Sequence, residues 1–317
     1  MLGPGERIRQ GRARRGSGTL FEIGRFYHAI HMVSDLDAAD DWYDRVFGVE
    51  RFYKGHLAVE KRDASLVVIA DFVMEPMTSS RLPGAEATPV GRFYARFGQH
   101  LHSLAWYVTD LRGLYERLRS AGVRVTGPGG GDMESGEFPG SLYTHPRDSH
   151  GAIEFVDAGA VSELVDPRFR PDFSTAYWSD EHPLGVERVS HLTVVVRDLE
   201  PAVAFYADTL GGEVIRRGRG TDGADSAFVH VGVDTVIELA RPDDDNGPAG
   251  RDLARNGEIL HSVTFKVRSL DAARKHLSAC GVRIADEASG ELLLEPDDCF
   301  GAVLRLTENA AGDAAGG

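Results

Sequence analysis

Four stretches of the chain share one pattern of apolar and polar positions. Each opens with alternating residues, the two-residue period of a strand covered on one face. The runs are His28 to Val33, Ser103 to Val108, His191 to Val196 and Ser262 to Val267. Each passes through Asp35-Leu36, Asp110-Leu111, Asp198-Leu199 or Ser269-Leu270 into a stretch with a helical period. Leu199, Val203, Tyr206 and Leu210 form one stripe of such a helix. Asp35, Asp110, Asp198 and Ser269 are N-cap types, whose side-chain oxygen accepts a free N–H of the first turn. Gly48, Gly122, Gly211 and Gly281 stand at the far ends, where a left-handed C-cap suits glycine. Short strand-like runs follow: 65–69, 227–231, 235–239 and 302–306. The unit is βαβββ, and it occurs four times.

Segments one and three resemble each other most, and so do two and four. The chain is therefore an ordered duplication of class α+β, with four βαβββ units paired into two modules. The first module spans 25–157 and the second 186–307. Residues 158–185 carry Asp166-Pro167, Arg170-Pro171 and His182-Pro183 and read as a linker, with Tyr177 and Trp178 packing on a module. Residues 1–24 place arginines among glycines and 308–317 are Ala/Gly/Asp-rich; both are expected to be disordered tails.

At 317 residues with 42% hydrophobic content, the chain has room for two well-filled cores. A net charge of -14, from 49 acidic and 35 basic residues, excludes a general nucleic-acid binder. No apolar run of about 18 residues is present, so no membrane-spanning helix is expected. Cys280 and Cys299 alone make no secreted disulfide framework, and reduced thiols in the cytoplasm are expected. Gly127 to Gly131 lacks the Lys-Ser/Thr of a phosphate loop and suggests no nucleotide cofactor.

His191, Asp198-Leu199, Phe205-Tyr206 and Leu210-Gly211 form an opening that resembles the vicinal oxygen chelate proteins, the glyoxalase, bleomycin-resistance and extradiol dioxygenase superfamily. His28, Asp35-Leu36, Trp42-Tyr43 and Phe47-Gly48 follow it with conservative changes. His145-Pro146, Gly151 and Glu154-Phe155 look like the last strand of glyoxalase I and methylmalonyl-CoA epimerase. The resemblance implies mixed sheets rolled into U-shaped cups, each around one metal. The ligand positions it implies are His28, Glu75, Ser103 and Glu154 in module one, and His191, Glu238, Ser262 and Leu304 in module two.

The residues themselves bear on that set. Alternation puts Phe26, His28, Ile30 and Met32 on one strand face, which is the cup if the helix covers Ala29 and Val33. Glu75 closes the run Phe72 to Met74, and Glu154 follows Ala152-Ile153. A carboxylate beside such residues is costly to bury unless paired or coordinated. The fourth donor is open. Leu104, Trp106 and Val108 mark the helix-facing side, so Ser103 faces the cup and His102 away, unless a bulge turns His102 inward. The same choice recurs at His261 and Ser262. Tyr143 and His145, beside Glu154 in sequence, are candidates for acid, base or substrate anchor, and local turn chemistry competes for His145 and His150. The metal candidates are thus His28, Glu75, His102 and Glu154, and the catalytic candidates Glu75, Glu154, Tyr143 and His145. Module two retains His191 and Glu238 but has lost the second carboxylate at Leu304.

The leading expectation is a metal-dependent lyase or isomerase of glyoxalase or epimerase type. It would act on a small molecule with vicinal oxygens through a metal-stabilised enediolate, with Glu75 or Glu154 moving the proton. Oxygen and nitrogen donors suit Mg, Mn, Fe, Co, Ni or Zn. The alternatives are an iron(II) extradiol-type dioxygenase built on His28, His102 and Glu154, and a metal-free small-molecule-binding protein. The partner is a small substrate, with no nucleic acid or membrane, and a homodimer is compatible with this reading.

Overall fold

The computed structural model describes residues 21–134, 138–159, 166–288 and 290–311. The expected tails at 1–24 and 308–317 lie outside these except for 21–24 and 308–311. The first sheet contains β1 (Ile23–Met32), β2 (Glu50–Leu57), β3 (Arg62–Ile69), β4 (Phe72–Ser79), β5 (His100–Val108), β6 (Val125–Thr126), β7 (Ser141–Thr144) and β8 (Ala152–Asp157). Its strand order is β2-β3-β4-β1-β5-β8-β7-β6. The second contains β9 (Val186–Val195), β10 (Glu213–Arg219), β11 (Asp225–Val231), β12 (Thr235–Arg241), β13 (Ile259–Val267), β14 (Ile284–Ala288), β15 (Glu291–Leu294) and β16 (Val303–Thr307). It repeats the same order, β10-β11-β12-β9-β13-β16-β15-β14. In each sheet the two opening strands pair antiparallel at the centre, and each has a parallel partner on its outer side. Each sheet is thus mixed, curved and open, and the α+β fold holds two modules.

The helices are α1 (Leu36–Phe47), α2 (Pro89–Phe97), α3 (Leu111–Ser120), α4 (Leu199–Ala204), α5 (Pro248–Asn256) and α6 (Leu270–Ala279). Three of the four expected N-caps accept as proposed: Asp35 from Ala38 N (3.0 Å), Asp110 from Gly113 N (2.9 Å) and Ser269 from Ala272 N (3.3 Å). Asp198 makes no side-chain cap, and α4 widens after Ala204 into a five-residue π turn that carries Tyr206 into the core. Gly48 closes α1 at φ +59°, and a Cβ there would lie 2.7 Å from the Tyr177 hydroxyl. The linker runs past this point, with Trp178 buried and Tyr177 left exposed. Helices α2 and α5 were not read from the sequence: at nine residues each, their patterns are too short to stand out. Val90 of α2 packs with Ile30, Met32, Ala64 and Met77, inside the first cup.

One core runs through both modules, and Phe265 of β13 sits 5.4 Å from Phe47 and 5.5 Å from Phe72, ring centre to ring centre. The modules also cap each other's helices. His276 Nε2 of α6 lies 2.9 Å from Val46 O and the Cys280 thiol 3.4 Å from Arg45 O, at the C-terminal end of α1, whose last carbonyls lack helical partners. Arg117 of α3 does the same for Asp208 O after α4, at 2.6 Å. His31 is a further tie: Nδ1 lies 2.8 Å from the Tyr43 hydroxyl and Nε2 3.0 Å from Phe300 O in the other module. No helix among the described residues is long and apolar enough to cross a membrane.

Burial pushes His31 down to about 4, against an ordinary value near 6.5. Below pH 6.5 the unfolded chain binds a proton that the folded chain refuses, so stability falls as pH drops from about 6.5 to about 4. Urea unfolding is expected to lose about 3 kcal/mol over that window through this residue. His31→Gln should flatten the pH dependence by that amount.

Candidate active site

The opening strands set the site. Alanine 29 of β1 enters the core, which turns His28 into the first cup, as alternation requires. Phe26 does not share that face: a register shift between residues 26 and 29 turns it into the core, against Phe72 and Trp106. Glu75 lies within β4 rather than at its end and pairs in register with Ile30 of β1. Glu154 lies on β8 beside Ala105 of β5. All three side chains are buried and meet at one point. His28 Nε2 is 3.1 Å from Glu75 Oε2 and 3.2 Å from Glu154 Oε2.

A register shift decides the His102–Ser103 ambiguity. Ala29 is opposite Leu104, yet His31 is opposite Leu101, so β5 spends three residues where β1 spends two. Leu101 and Leu104 both enter the core, and the extra residue falls at His102–Ser103. The His102 ring then packs on Phe93 of α2, 4.3 Å between ring centres, with Nδ1 2.8 Å from Ser103 Oγ. Burial, with Arg62 nearby, pushes His102 down to about 4, and Glu154 only partly offsets this. At neutral pH His102 is therefore an uncharged donor beside the cup.

Two charged residues that sequence reading missed complete the cluster. Arg62 of β3, itself buried, pairs through Nη1 with Glu75 Oε1 and through Nε with Glu60. The Tyr143 hydroxyl lies 3.0 Å from Glu60 Oε1 and 2.9 Å from Glu154 Oε1, and its one proton serves one of them at a time. Burial, then Glu154 and Glu60, drive Tyr143 well above its ordinary value, so it stays protonated. Burial opposes the Glu154 charge, but His28, Arg62 and the Tyr143 hydroxyl outweigh it and hold that carboxyl below its ordinary value. His145 is not brought into the cluster. It lies in the β7–β8 turn, where Nδ1 accepts from Arg147 N at 3.3 Å. His150, in the same turn, reaches across to Glu258 of the other module at 2.9 Å. Turn chemistry and module docking account for both.

The donors suit a divalent cation. A neutral imidazole can give one Nε2 proton to one carboxylate, yet here two approach the same nitrogen. Glu75 Oε2 has no hydrogen-bond donor. Separations of 3.1 and 3.2 Å between donor atoms match neighbouring ligands of one ion, about 3.0–3.4 Å apart for bonds of about 2.1 Å. Three buried carboxylates face a single guanidinium, an imbalance that a divalent charge offsets. No group of three or more His, Cys, Asp or Glu side chains among the described residues is arranged to hold a metal ion, and Glu75 Oε1 is turned to Arg62.

Module two carries a correction. Ser103 pairs with Ala152 and Ala105 with Glu154; Ser262 pairs with Val303 and Thr264 with Arg305. The counterpart of Glu154 is therefore Arg305, and Leu304 matches the core residue Ile153. The resemblance was placed one residue early on β16. His191 Nε2 does lie 3.3 Å from Glu238 Oε2. But Glu238 also accepts from Thr221 N (2.7 Å) and the hydroxyls of Thr193 (2.8 Å), Thr221 (2.6 Å) and Ser226 (2.8 Å). His191, then the two Thr221 donors, outweigh burial and hold it down at about 2. A filled carboxylate and an arginine do not suit a metal ion.

The paired cups define a two-module protein in which the first cup joins a buried histidine to two carboxylates. Profiles of the Glyoxalase/Bleomycin resistance protein/Dioxygenase superfamily match residues 25–155 and again residues 190–292. The chain belongs to that superfamily, as a member with two modules. It is 31% identical over 168 residues to the mitochondrial methylmalonyl-CoA epimerase of Bos taurus, across 48% of this chain and 95% of that one. It is 31% identical over 137 residues to the ethylmalonyl-CoA/methylmalonyl-CoA epimerase of Cereibacter sphaeroides, across 39% and 98%. A solved mutant 4-hydroxymandelate synthase from Streptomyces coelicolor matches 92% of this chain and 93% of its own, with TM-score 0.59 at 16% identity, a likeness of fold alone. The protein is an enzyme, and the relatives at 31% identity are epimerases.

Arg62→Met would leave Glu60 and Glu75 buried without their cation. The expected loss of stability is about 3–5 kcal/mol, read by urea unfolding of the metal-free protein.

Proposed function

We propose that the first cup binds a divalent cation through His28, Glu75 and Glu154, with His102 as a fourth donor. Its reaction is the reversible removal of a proton beside a carbonyl of a malonyl-type CoA thioester, as in an epimerase. The observation that carries this reading is the approach of two carboxylate oxygens to one imidazole nitrogen, at 3.1 and 3.2 Å, in a buried cup. The 31% identity to epimerases that act on methylmalonyl-CoA supports the substrate class. A bound divalent ion supplies Lewis-acid polarisation of adjacent substrate oxygens. The chain's own residues do the rest. Arg62 fixes the Glu75 carboxylate and keeps Glu60 in place. Glu60 is buried and lies outside the proposed ligand set, which suits it to take the proton. Tyr143, protonated and shared between Glu60 and Glu154, steadies the charge on either.

A second reading, an iron(II) ring-cleaving dioxygenase, uses the same cup. The bulge favours it to one degree: His102 beside His28 and Glu154 gives the two-histidine, one-carboxylate donor set of such enzymes. Oxygen uptake with catechols by the iron-loaded protein separates the two.

Metal analysis should find about one divalent ion per chain in the wild type and little in Glu154→Gln. In heavy water the wild type should exchange the C–H beside the carbonyls of methylmalonyl-CoA, and chelation should stop it. Glu60→Gln should keep the metal and lose exchange by a factor of about 100 or more. A metal-free wild type, or a Glu60→Gln variant with full exchange, contradicts these roles.

A further inference from the structure

Helices α2 and α5 hold matching places in the two modules. Their sequences align as Pro89-Val-Gly-Arg-Phe93 and Pro248-Ala-Gly-Arg-Asp252. The histidine at each strand bulge meets its own helix at the last of these positions. His102 packs on Phe93, and His261 Nδ1 lies 2.6 Å from Asp252 Oδ2. Asp252 does one thing more, because it crosses to the first module. His100 Nε2 of β5 lies 3.2 Å from Asp252 Oδ1, and Asn256 Nδ2 donates to the same oxygen at 2.7 Å. A carboxylate only accepts, so each ring turns an N–H toward it. The Asp252 and His100 side chains are 8% and 11% exposed, so water competes little for the bond.

His100 stands just before the bulge. It is opposite Met32 of β1, Leu101 is opposite His31, and the extra residue of β5 follows at once. His100 Nδ1 lies 2.6 Å from Leu101 O, so one ring ties the carbonyl next to His102 to an aspartate of the other module. The seat of the His102 ring leans on the same helix, since Phe93 and Phe97 of α2 pack on the cluster that holds Ala249 and Leu253 of α5. His102 therefore rests on α5 twice, by its strand through Asp252 and by its ring through Phe93. A bulged residue lacks a ladder pairing of its own, so contacts of this kind set where its side chain points. His102 Nδ1 can give its proton to Ser103 Oγ at 2.8 Å, which leaves the Nε2 lone pair for an ion. We propose that Asp252 is a positioning residue of the first cup: from the second module it holds His100, and through His100 the bulge that presents His102. The second module, whose own cup does not suit a metal ion, supplies this support instead. The inference rests on the reading of His102 as a fourth donor.

Co(II) binding to the metal-free full chain, read by calorimetry and visible absorption, tests the inference as a double-mutant cycle. His102→Ala should weaken Co(II) by about tenfold or more. Asp252→Ala and His100→Leu should each weaken it by about tenfold and shift the Co(II) spectrum toward that of His102→Ala. Added to His102→Ala, either change should cost less than about twofold further. His100→Leu cuts the bridge and leaves the Asp252 contacts within its own module, so the test stands if Asp252→Ala fails to fold. Wild-type affinity in His100→Leu and Asp252→Ala, beside a weakened His102→Ala, would overturn the inference and leave His102 as a donor. An undiminished further loss in the His102→Ala background would also overturn it, as damage that does not pass through that ring. Wild-type affinity in His102→Ala would overturn the inference together with the reading beneath it.

Discussion

A buried imidazole cannot serve two carboxylates with one proton, and the first cup is arranged around that conflict. His28 comes from the first strand, Glu75 from the fourth and Glu154 from the eighth, so the contact closes only when the whole sheet has formed in register. A one-residue slip in β1, β4 or β8 would turn one of the three toward the helices. Arg62 and Tyr143 keep the excess negative charge in place. Fold and chemistry share the same constraint: the sheet must curve enough to bring its two halves together, and only a cup that excludes water makes the conflict matter.

The second module shows the same frame under different chemistry. Its sheet repeats the strand order, and His191 and Glu238 occupy the positions of His28 and Glu75. What changed is the partner set. Arg305 stands where Glu154 does, and Glu238 is wrapped by hydroxyl and backbone donors. At His102 and His261 the same bulge occurs, but the facing helix offers Phe93 in one module and Asp252 in the other. Duplication supplied two cups, and a few side chains suffice to separate what each can hold.

Much of this was legible in the chain. The fourfold βαβββ pattern, three of four N-caps and the inward face of His28 follow from periods of two and 3.6 and from residue types at helix ends, while Glu75 and Glu154 were found through the family resemblance. Arg62 and Glu60 were not legible, because charged residues in and beside a strand look like a solvated edge until the fold shows what they face. His102 against Ser103 turned on a bulge, which carries little sequence signal yet exchanges the cup and core faces beyond it. Leu304 against Arg305 turned on one extra residue between Gly301 and the start of β16. His145 looked catalytic through nearness in sequence to Glu154, but a tight turn carries it away from the cup.

The most direct test is anomalous diffraction from crystals of the full chain grown with Mn(II). The account predicts one strong peak per chain, bonded to His28, Glu75 and Glu154. A peak bound to His191 and Glu238 instead, or none in the first cup at saturating Mn(II), would contradict it.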